Sequence, residues 1–399
     1  MQKLTDKKAI GQMTFLFMTL YMISYITRIN YGAIVSEMVE ATGMTKAMLS
    51  MALTGSFITY GAGQIISGIC GDKLPPKKLI MYGLFVTATM NILIPFCNNG
   101  YQMLAVWCVN GFAQAFMWPP LVKIMVMLFD TEDYNAASVK VSWGSSFGTI
   151  SVYFLGPILI LISGWKSVFF VCASMAVIMA LIWNKACVDT PVEPVQKTKE
   201  EKVKYKLFTP TLIMIMITII LQGMLRDGVT TWMPSYISET YNLSRVVSIL
   251  TGVIMPIFSI VSFSITSKLY KKYFSNPVLC AGVIFGFGAV SALALYLLSS
   301  TSAAISVLLS ALLTGSMHGV NLVLICYIPS FFRKYGNIST VSGVLNSCTY
   351  VGSAISTYGI ALISEARGWT FTIFIWFIIA LLGTVISFVA ARPWKKQYM

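Results

Sequence analysis

The chain has 399 residues, of which 57% are hydrophobic and only 11% are charged. Its mean hydropathy is +0.77, whereas soluble domains carry about 25% charged residues. This composition excludes a soluble globular protein and predicts one that is embedded in a lipid bilayer. The net charge of +14 comes from basic residues scattered over short segments, a distribution that argues against a nucleic-acid partner.

Twelve apolar segments are long enough to cross the bilayer as helices, which takes about 20 residues for roughly 30 Å of hydrocarbon. The sequence therefore predicts an all-α membrane protein whose twelve transmembrane helices form two pseudo-symmetric six-helix bundles. We expect these bundles at residues 1–188 and 207–399, joined by a polar cytoplasmic linker at 189–206. The twelve segments cover residues 10–34, 49–71, 79–97, 103–129, 137–163, 167–187, 212–236, 246–270, 277–299, 303–331, 338–363 and 370–391.

The distribution of basic residues indicates the orientation of these segments. With the N-terminus in the cytoplasm, most lysines and arginines of the connections fall inside, including a cluster at 197–206, as the positive-inside rule requires. The exceptions are Lys46, Lys166, Arg245 and Arg367. Both termini are therefore predicted to be cytoplasmic. We expect a bacterial inner membrane, with the first segment retained because it lacks the cleavage site of a secretion signal.

The two halves of the chain resemble each other. Gly148 and Gly352 share a context of small residues, and the Gly-Trp pair that begins at Gly164 recurs at Gly368. Both pairs of glycines are separated by 204 residues. Duplicated halves are typical of secondary transporters, in which the substrate site lies near the midplane of the membrane.

Two arginines, Arg28 and Arg226, lie deep in the first segment of each half. A guanidinium inside a bilayer is costly unless it faces water or an anion, so it marks a functional site. Of the 14 acidic residues, only Asp227 lies clearly within a segment, which predicts an anionic substrate and weakens proton coupling through buried carboxylates. Because adjacent helical residues face different directions, we expect Asp227 to pair with a group other than Arg226.

Two lysines lie closer to the ends of their segments. Lys123 and Lys140 are near the cytoplasmic side, where a long side chain can reach water.

His318 is the only histidine and precedes Asn321 by one turn. It is either a neutral hydrogen-bonding group between helices or a group that binds ligand or a proton.

Polar residues in the second and fourth segments have two interpretations. Four polar side chains can bond the oxygens of a ligand, or they can hold helices together: Tyr60, Gln64, Asn110 and Gln114.

The sequence contains no nucleophile and base pair, no metal-ligand cluster and no phosphate-binding glycine loop. Neither an enzyme nor a cofactor or metal is therefore predicted.

Several stretches carry a resemblance to a known family. Residues 68–78 (GICGDKLPPKK) resemble the loop between helices 2 and 3 of the major facilitator superfamily. There Asp72 would cap or pair with neighbouring helix ends, and Lys77 and Lys78 would stay cytoplasmic. YITRIN, GFAQAFMWPP and LRDGVTTWMPSY, which begin at residues 25, 111 and 225, resemble helices 1, 4 and 7 of the organophosphate:phosphate antiporters.

That family exchanges glycerol 3-phosphate and hexose phosphates for inorganic phosphate, and the resemblance implies roles for matching residues. Arg28 and Arg226 match the arginines that bind phosphate, which guanidinium groups do through paired, charge-assisted hydrogen bonds. Tyr25 and Tyr60 match tyrosines of the family. The resemblance also implies a major facilitator fold and a monomer.

The chain departs from the family at two cationic positions. Ser145 occupies the position of the family's cavity histidine, and Gln64 occupies that of its helix 2 lysine. The chain therefore lacks two cations that the family's sugar-phosphate site contains. His318 could replace part of this charge from the other half. The predicted substrate-binding residues are Arg28, Arg226, Tyr25, Tyr60, Gln64, Gln114, Ser145, His318 and Asn321.

Two functions remain open at this point. The first is a secondary transporter that exchanges an organic phosphate for inorganic phosphate by alternating access. The second is a carrier of organic or sugar-acid carboxylates, with or without proton coupling, which the scarcity of buried acids disfavours. A sensor on the same scaffold is a third class, and the short cytoplasmic ends argue against it.

Overall fold

A computed structural model describes residues 3–189, 209–243 and 254–399, and these residues are nearly all helical. Short turns of other helical types continue two of the α-helices, at Ile94–Phe96, Leu322–Tyr327 and Ile328–Tyr335. The prediction of an all-α protein is therefore confirmed. The α-helices are α1 (Lys7–Ala33), α2 (Val35–Thr42), α3 (Lys46–Lys73), α4 (Pro76–Leu93), α5 (Gly100–Gln114), α6 (Trp118–Leu128), α7 (Thr131–Ser163), α8 (Trp165–Ala186), α9 (Pro210–Tyr241), α10 (Ile254–Tyr273), α11 (Pro277–Leu298), α12 (Ala303–Asn321) and α13 (Ile338–Tyr398).

Within the described residues, nine helical stretches are long and apolar enough to cross a bilayer. One of them is the 61-residue α13, which breaks at Gly368 and so provides two of the predicted segments. Helices α3 and α10 do not meet that criterion, but each lies on a further predicted segment. The nine stretches, one of which covers two segments, and these two helices together correspond to the twelve predicted segments. The predictions for residues 190–206, for Arg245 and for the start of segment 246–270 lie outside the described residues.

Capping residues define where several helices begin. The Asp6 carboxylate accepts hydrogen bonds from the backbone of Lys8 and Ala9 at 3.2 and 3.1 Å and so caps α1. Asp130 caps α7 in the same way, through the backbone N–H of Asp133 at 2.8 Å. These carboxylates satisfy N–H groups that have no partner within the first helical turn.

The described chain forms two compact units. The first comprises residues 3–189 with 332–347, and the second comprises the described part of 209–331 with 348–399. In the first unit α1 packs against α7 and α8, and α3 packs against α5; in the second, α12 packs against α9, α10 and α11. The predicted boundary between residues 188 and 207 stays a prediction.

The repeated glycines adopt the same backbone conformation in both units. Gly164 has φ 72° and ψ 172°, and Gly368 has φ 74° and ψ 175°. This region of backbone space is essentially restricted to glycine. Each glycine therefore marks the point at which one long helix ends and the next begins.

The other repeated glycines allow close packing against the arginine-bearing helices. A Cβ added to Gly148 would lie 2.6 Å from the Met22 carbonyl oxygen, and one on Gly352 would overlap the Ile220 carbonyl oxygen. Met22 and Ile220 each precede the buried arginine of their helix by six residues. The same contact therefore positions Arg28 in the first unit and Arg226 in the second.

We expect Gly352→Ala to lower the free energy of unfolding by about 1–3 kcal/mol, because the added methyl group would overlap the Ile220 carbonyl group. Gly359 lies on the same helix, and a Cβ there would have nothing within 4 Å. Gly359→Ala is the matched control and should be neutral or slightly stabilising. Thermal unfolding in detergent measures both changes, and equal melting temperatures would contradict the packing role of Gly352.

Candidate functional site

Arg28 lies on α1 between two aromatic rings. Its guanidinium carbon is 4.2 Å from the centroid of the Tyr25 ring and 4.6 Å from that of the Tyr60 ring. Arg28 is 9% exposed and Tyr60 is 2% exposed. Cation–π contacts offset part of the desolvation cost of the charge, and the planar group donates hydrogen bonds in its own plane, away from the rings. The structure thus brings together three of the predicted binding residues.

Gln114 forms hydrogen bonds that join α5 to α1. Its Oε1 accepts from Ser24 Oγ at 2.6 Å, and its Nε2 donates to Thr27 Oγ1 at 2.8 Å. Asn110 Nδ2 donates to the Thr27 carbonyl oxygen at 3.3 Å. Gln114 and Asn110 are fully buried. These contacts fit the helix-joining interpretation and hold the helix that carries Arg28.

The two residues at the family's cationic positions bring no charge to the first unit. Gln64 is fully buried on α3, where its Nε2 donates to the Ala115 carbonyl oxygen at 3.4 Å and its Oε1 accepts from Asn346 Nδ2 at 3.0 Å. Ser145 is half-buried on α7 and donates to the Ser142 carbonyl oxygen at 2.7 Å. Both therefore have hydrogen-bond partners within their unit.

Lys123 is buried, so the expectation that its side chain reaches water is wrong. Its Nζ donates to the carbonyl oxygens of Gly71 and Asp72 at 2.9 and 3.1 Å and lies 3.8 Å from Asp72 Oδ1. The last carbonyls of a helix lack donors within that helix, and α6 carries the Lys123 ammonium group to the end of α3. Lys140, in contrast, is exposed.

Asp72 caps the first turn of α13. Its Oδ1 accepts from the backbone N–H of Ser339 at 3.0 Å, and its Oδ2 accepts from that of Thr340 at 2.7 Å. A carboxylate at this position also interacts favourably with the helix dipole. Of the two neighbouring lysines, Lys77 forms an ion pair with an exposed aspartate, and Lys78 is exposed.

Arg226 on α9 forms a bidentate ion pair with the residue that follows it. Its Nε donates to Asp227 Oδ1 at 2.6 Å, and its Nη2 donates to Asp227 Oδ2 at 2.8 Å. Asp227 Oδ2 also accepts a hydrogen bond from Ser353 Oγ on α13. The hydrogen bond from Ser353 confirms the expectation that Asp227 pairs with a polar group elsewhere, but the expectation that it does not pair with Arg226 is wrong. The arginine side chain is long enough to turn back, and an unpaired carboxylate among apolar helices costs more than this bend.

His318 and Asn321 lie half-buried on α12. The His318 ring meets the Phe263 ring of α10 edge-on, with centroids 5.5 Å apart. His318 follows Gln114 by 204 residues, which is the offset of the repeated glycines. Asn321 is the last residue of α12.

Ser353 was not anticipated from the sequence. It is an ordinary serine in a stretch of small residues, and its one signal is that it directly follows the repeated Gly352. Close packing at Gly352 brings α13 against α9. The second unit thus places Arg226, Asp227 and Ser353 in one hydrogen-bonded group.

We expect Asp72→Ala to accelerate amide hydrogen exchange at Ser339 and Thr340, because their N–H groups lose their carboxylate acceptors. Asp189 is an exposed aspartate that pairs with Lys77 at 2.9 Å, so Asp189→Ala is the matched control. Exchange measured by mass spectrometry on peptides that span 338–342 compares the two variants. Unchanged exchange in Asp72→Ala would contradict the cap.

This arrangement is that of a polytopic membrane protein with charged groups buried inside its helical units. The Major Facilitator Superfamily profile matches residues 17–357, and the chain belongs to this family. It therefore has the twelve-helix major facilitator fold. Two solved structures share that fold: the proton:xylose symporter XylE, with a TM-score of 0.77, 11% identity and coverage of 98% of this chain and 96% of that one, and FucP in the outward conformation, with a TM-score of 0.75, 14% identity and coverage of 96% and 99%.

Three relatives indicate which branch of the superfamily this chain resembles. The glycerol-3-phosphate transporter of Bacillus subtilis (strain 168) is 25% identical over 305 residues, which are 69% of this chain and 68% of that protein. A probable hexose phosphate transport protein of Chlamydia muridarum (strain MoPn / Nigg) is 24% identical over 189 residues, or 46% of this chain and 41% of that protein. The membrane sensor protein UhpC of Escherichia coli (strain K12) is 20% identical over 298 residues, or 68% of each chain.

These relatives confirm, at low identity, the resemblance to the organophosphate:phosphate antiporters. They are transporters or a membrane sensor and not enzymes. The chain spans about two thirds of the glycerol-3-phosphate transporter and UhpC, and 41% of the chlamydial protein.

Proposed function

We propose that this protein is a secondary active transporter that exchanges a small organic phosphate for inorganic phosphate by alternating access. One observation carries the proposal: an arginine of low exposure, 9% for Arg28 and 12% for the Arg226 side chain, occupies the same place relative to the repeated glycine in each unit. Guanidinium groups bind tetrahedral oxyanions through paired, charge-assisted hydrogen bonds. The names of the relatives from Bacillus and Chlamydia support a phosphate ester as the substrate class.

Charge compensation by a bound anion explains why transport would be exchange. Substrate shifts the equilibrium between conformational states only through its different affinity for them. A guanidinium without an anion is costly to enclose in an apolar environment, so the empty carrier reorients slowly. A bound anion adds negative charge at Arg28, while Asp227 already offsets most of the charge of Arg226, and a loaded carrier then reorients in either direction.

The remaining features of the proposal concern topology and assembly. We propose that residues 1–188 and 207–399 form the two six-helix bundles of a monomer in a bacterial inner membrane, with both termini in the cytoplasm. The positive-inside distribution of lysine and arginine supports this orientation. The repeated glycines at Gly148 and Gly352 support the equivalence of the two bundles.

A sensing role is the second candidate, because one relative is named a membrane sensor protein. A sensor would bind the same anion without carrying out exchange. A carrier of organic or sugar-acid carboxylates is the weaker alternative, since the two named transporter relatives above carry phosphate esters. Competition by unlabelled inorganic phosphate for uptake separates the phosphate and carboxylate classes.

In proteoliposomes loaded with inorganic phosphate, we expect rapid uptake of external labelled phosphate. Arg28→Lys and Arg226→Lys should each slow this exchange by about tenfold to a hundredfold, because an ammonium group lacks the planar fork and each lost charge-assisted hydrogen bond is worth about 1.5–3 kcal/mol. Arg367 is an exposed arginine, and Arg367→Lys is the matched control with unchanged exchange.

Three results would count against this proposal. Undiminished exchange in both arginine variants would show that these residues do not bind the phosphate. Binding of phosphate by the folded wild type without exchange would favour the sensor. Uptake of a labelled carboxylate that inorganic phosphate does not inhibit would favour the carboxylate carrier.

A further inference from the structure

Arg226 differs from a simple cationic ligand because a carboxylate accompanies it. Two of the five N–H donors of its guanidinium go to Asp227, at 2.6 and 2.8 Å. The local charge of this group of side chains is therefore close to zero. An anion that reaches Arg226 also meets the negative charge of Asp227.

The carboxylate is held in place from a second helix. Ser353 Oγ on α13 donates to Asp227 Oδ2, the oxygen that also accepts from Arg226 Nη2. The two helices pack closely here, since a Cβ on the next residue, Gly228, would lie 2.6 Å from Ile360 Cδ1 and 3.0 Å from Ser356 Cβ. The negative charge of Asp227 therefore has a fixed position beside Arg226.

We propose that Asp227 is a specificity-determining residue that makes the Arg226 site prefer oxyanions with one negative charge over oxyanions with two. This inference rests on the proposed function only in taking Arg226 as a ligand of the transported anion. The carboxylate lies within a few ångströms of such an anion whether the anion binds beside Asp227 or displaces it from the guanidinium. Repulsion by Asp227 grows with the charge of the anion, and salt screens it less at a partly buried group than at the surface.

A purely structural role for Asp227 makes a different prediction. If the carboxylate only neutralised Arg226 for the sake of folding, its loss would lower stability and affect all anions alike. A charge filter instead changes the ratio of affinities for two anions of the same shape. Sulfate and inorganic phosphate are both tetrahedral, but at about pH 5.5 phosphate is mostly singly charged and sulfate is doubly charged.

The test compares how sulfate and unlabelled phosphate inhibit exchange of labelled phosphate at about pH 5.5. For the wild type we expect sulfate to be the weaker inhibitor. In Asp227→Asn the ratio of the half-inhibitory concentrations of sulfate and phosphate should fall by about tenfold, because one unit of repulsion is removed. Glu365 is exposed, and Glu365→Gln, the same type of change, should leave the ratio as in the wild type. All measurements use one pH, so the charges of the two anions in solution are the same for every variant.

A binding measurement keeps the inference testable if a variant is folded but does not exchange phosphate. The rise in melting temperature caused by sulfate and by phosphate in detergent gives the same ratio of affinities. A shifted ratio in Asp227→Asn without phosphate exchange by the wild type would support the charge filter and contradict the proposed exchange. An equal ratio in the wild type, Asp227→Asn and Glu365→Gln would overturn the inference, as would a wild type that binds neither anion.

Discussion

The cost of burying a guanidinium group among apolar helices is the constraint on which the two units depend. Cation–π contacts with Tyr25 and Tyr60 offset this cost for Arg28. An ion pair with Asp227, which Ser353 of α13 holds in place, offsets it for Arg226. The repeated glycine packs at the same place before each arginine. Duplication has therefore kept the position of the charge but not its electrostatic partners.

This asymmetry gives the two arginines different parts in anion binding. Aromatic rings stabilise the charge of Arg28, and we infer that this residue attracts an anion. Asp227 cancels most of the charge of Arg226, which leaves hydrogen-bond direction as its main contribution. An arginine paired in this way would recognise the tetrahedral shape of a phosphoryl group while limiting the negative charge that it accepts.

The sequence was sufficient to predict the helices and the placement of two arginines within them. Apolar segments of bilayer length identify spanning helices, and Arg28 and Arg226 stand out because charge is rare in such segments. It was insufficient where a side chain depends on a neighbouring helix. Lys123 turns inward because the end of α3 offers carbonyl acceptors, and Ser353 of α13 holds Asp227 beside Arg226. Neither partner can be read from spacing along one helix.

Calorimetric titration of inorganic phosphate into the purified protein tests most directly whether Arg28 and Arg226 bind phosphate. We expect one phosphate to bind per chain, and we expect the binding heat to disappear in Arg28→Ala and in Arg226→Ala while both variants stay folded. Binding that persists in a folded protein with both arginines replaced would contradict the assignment of the site.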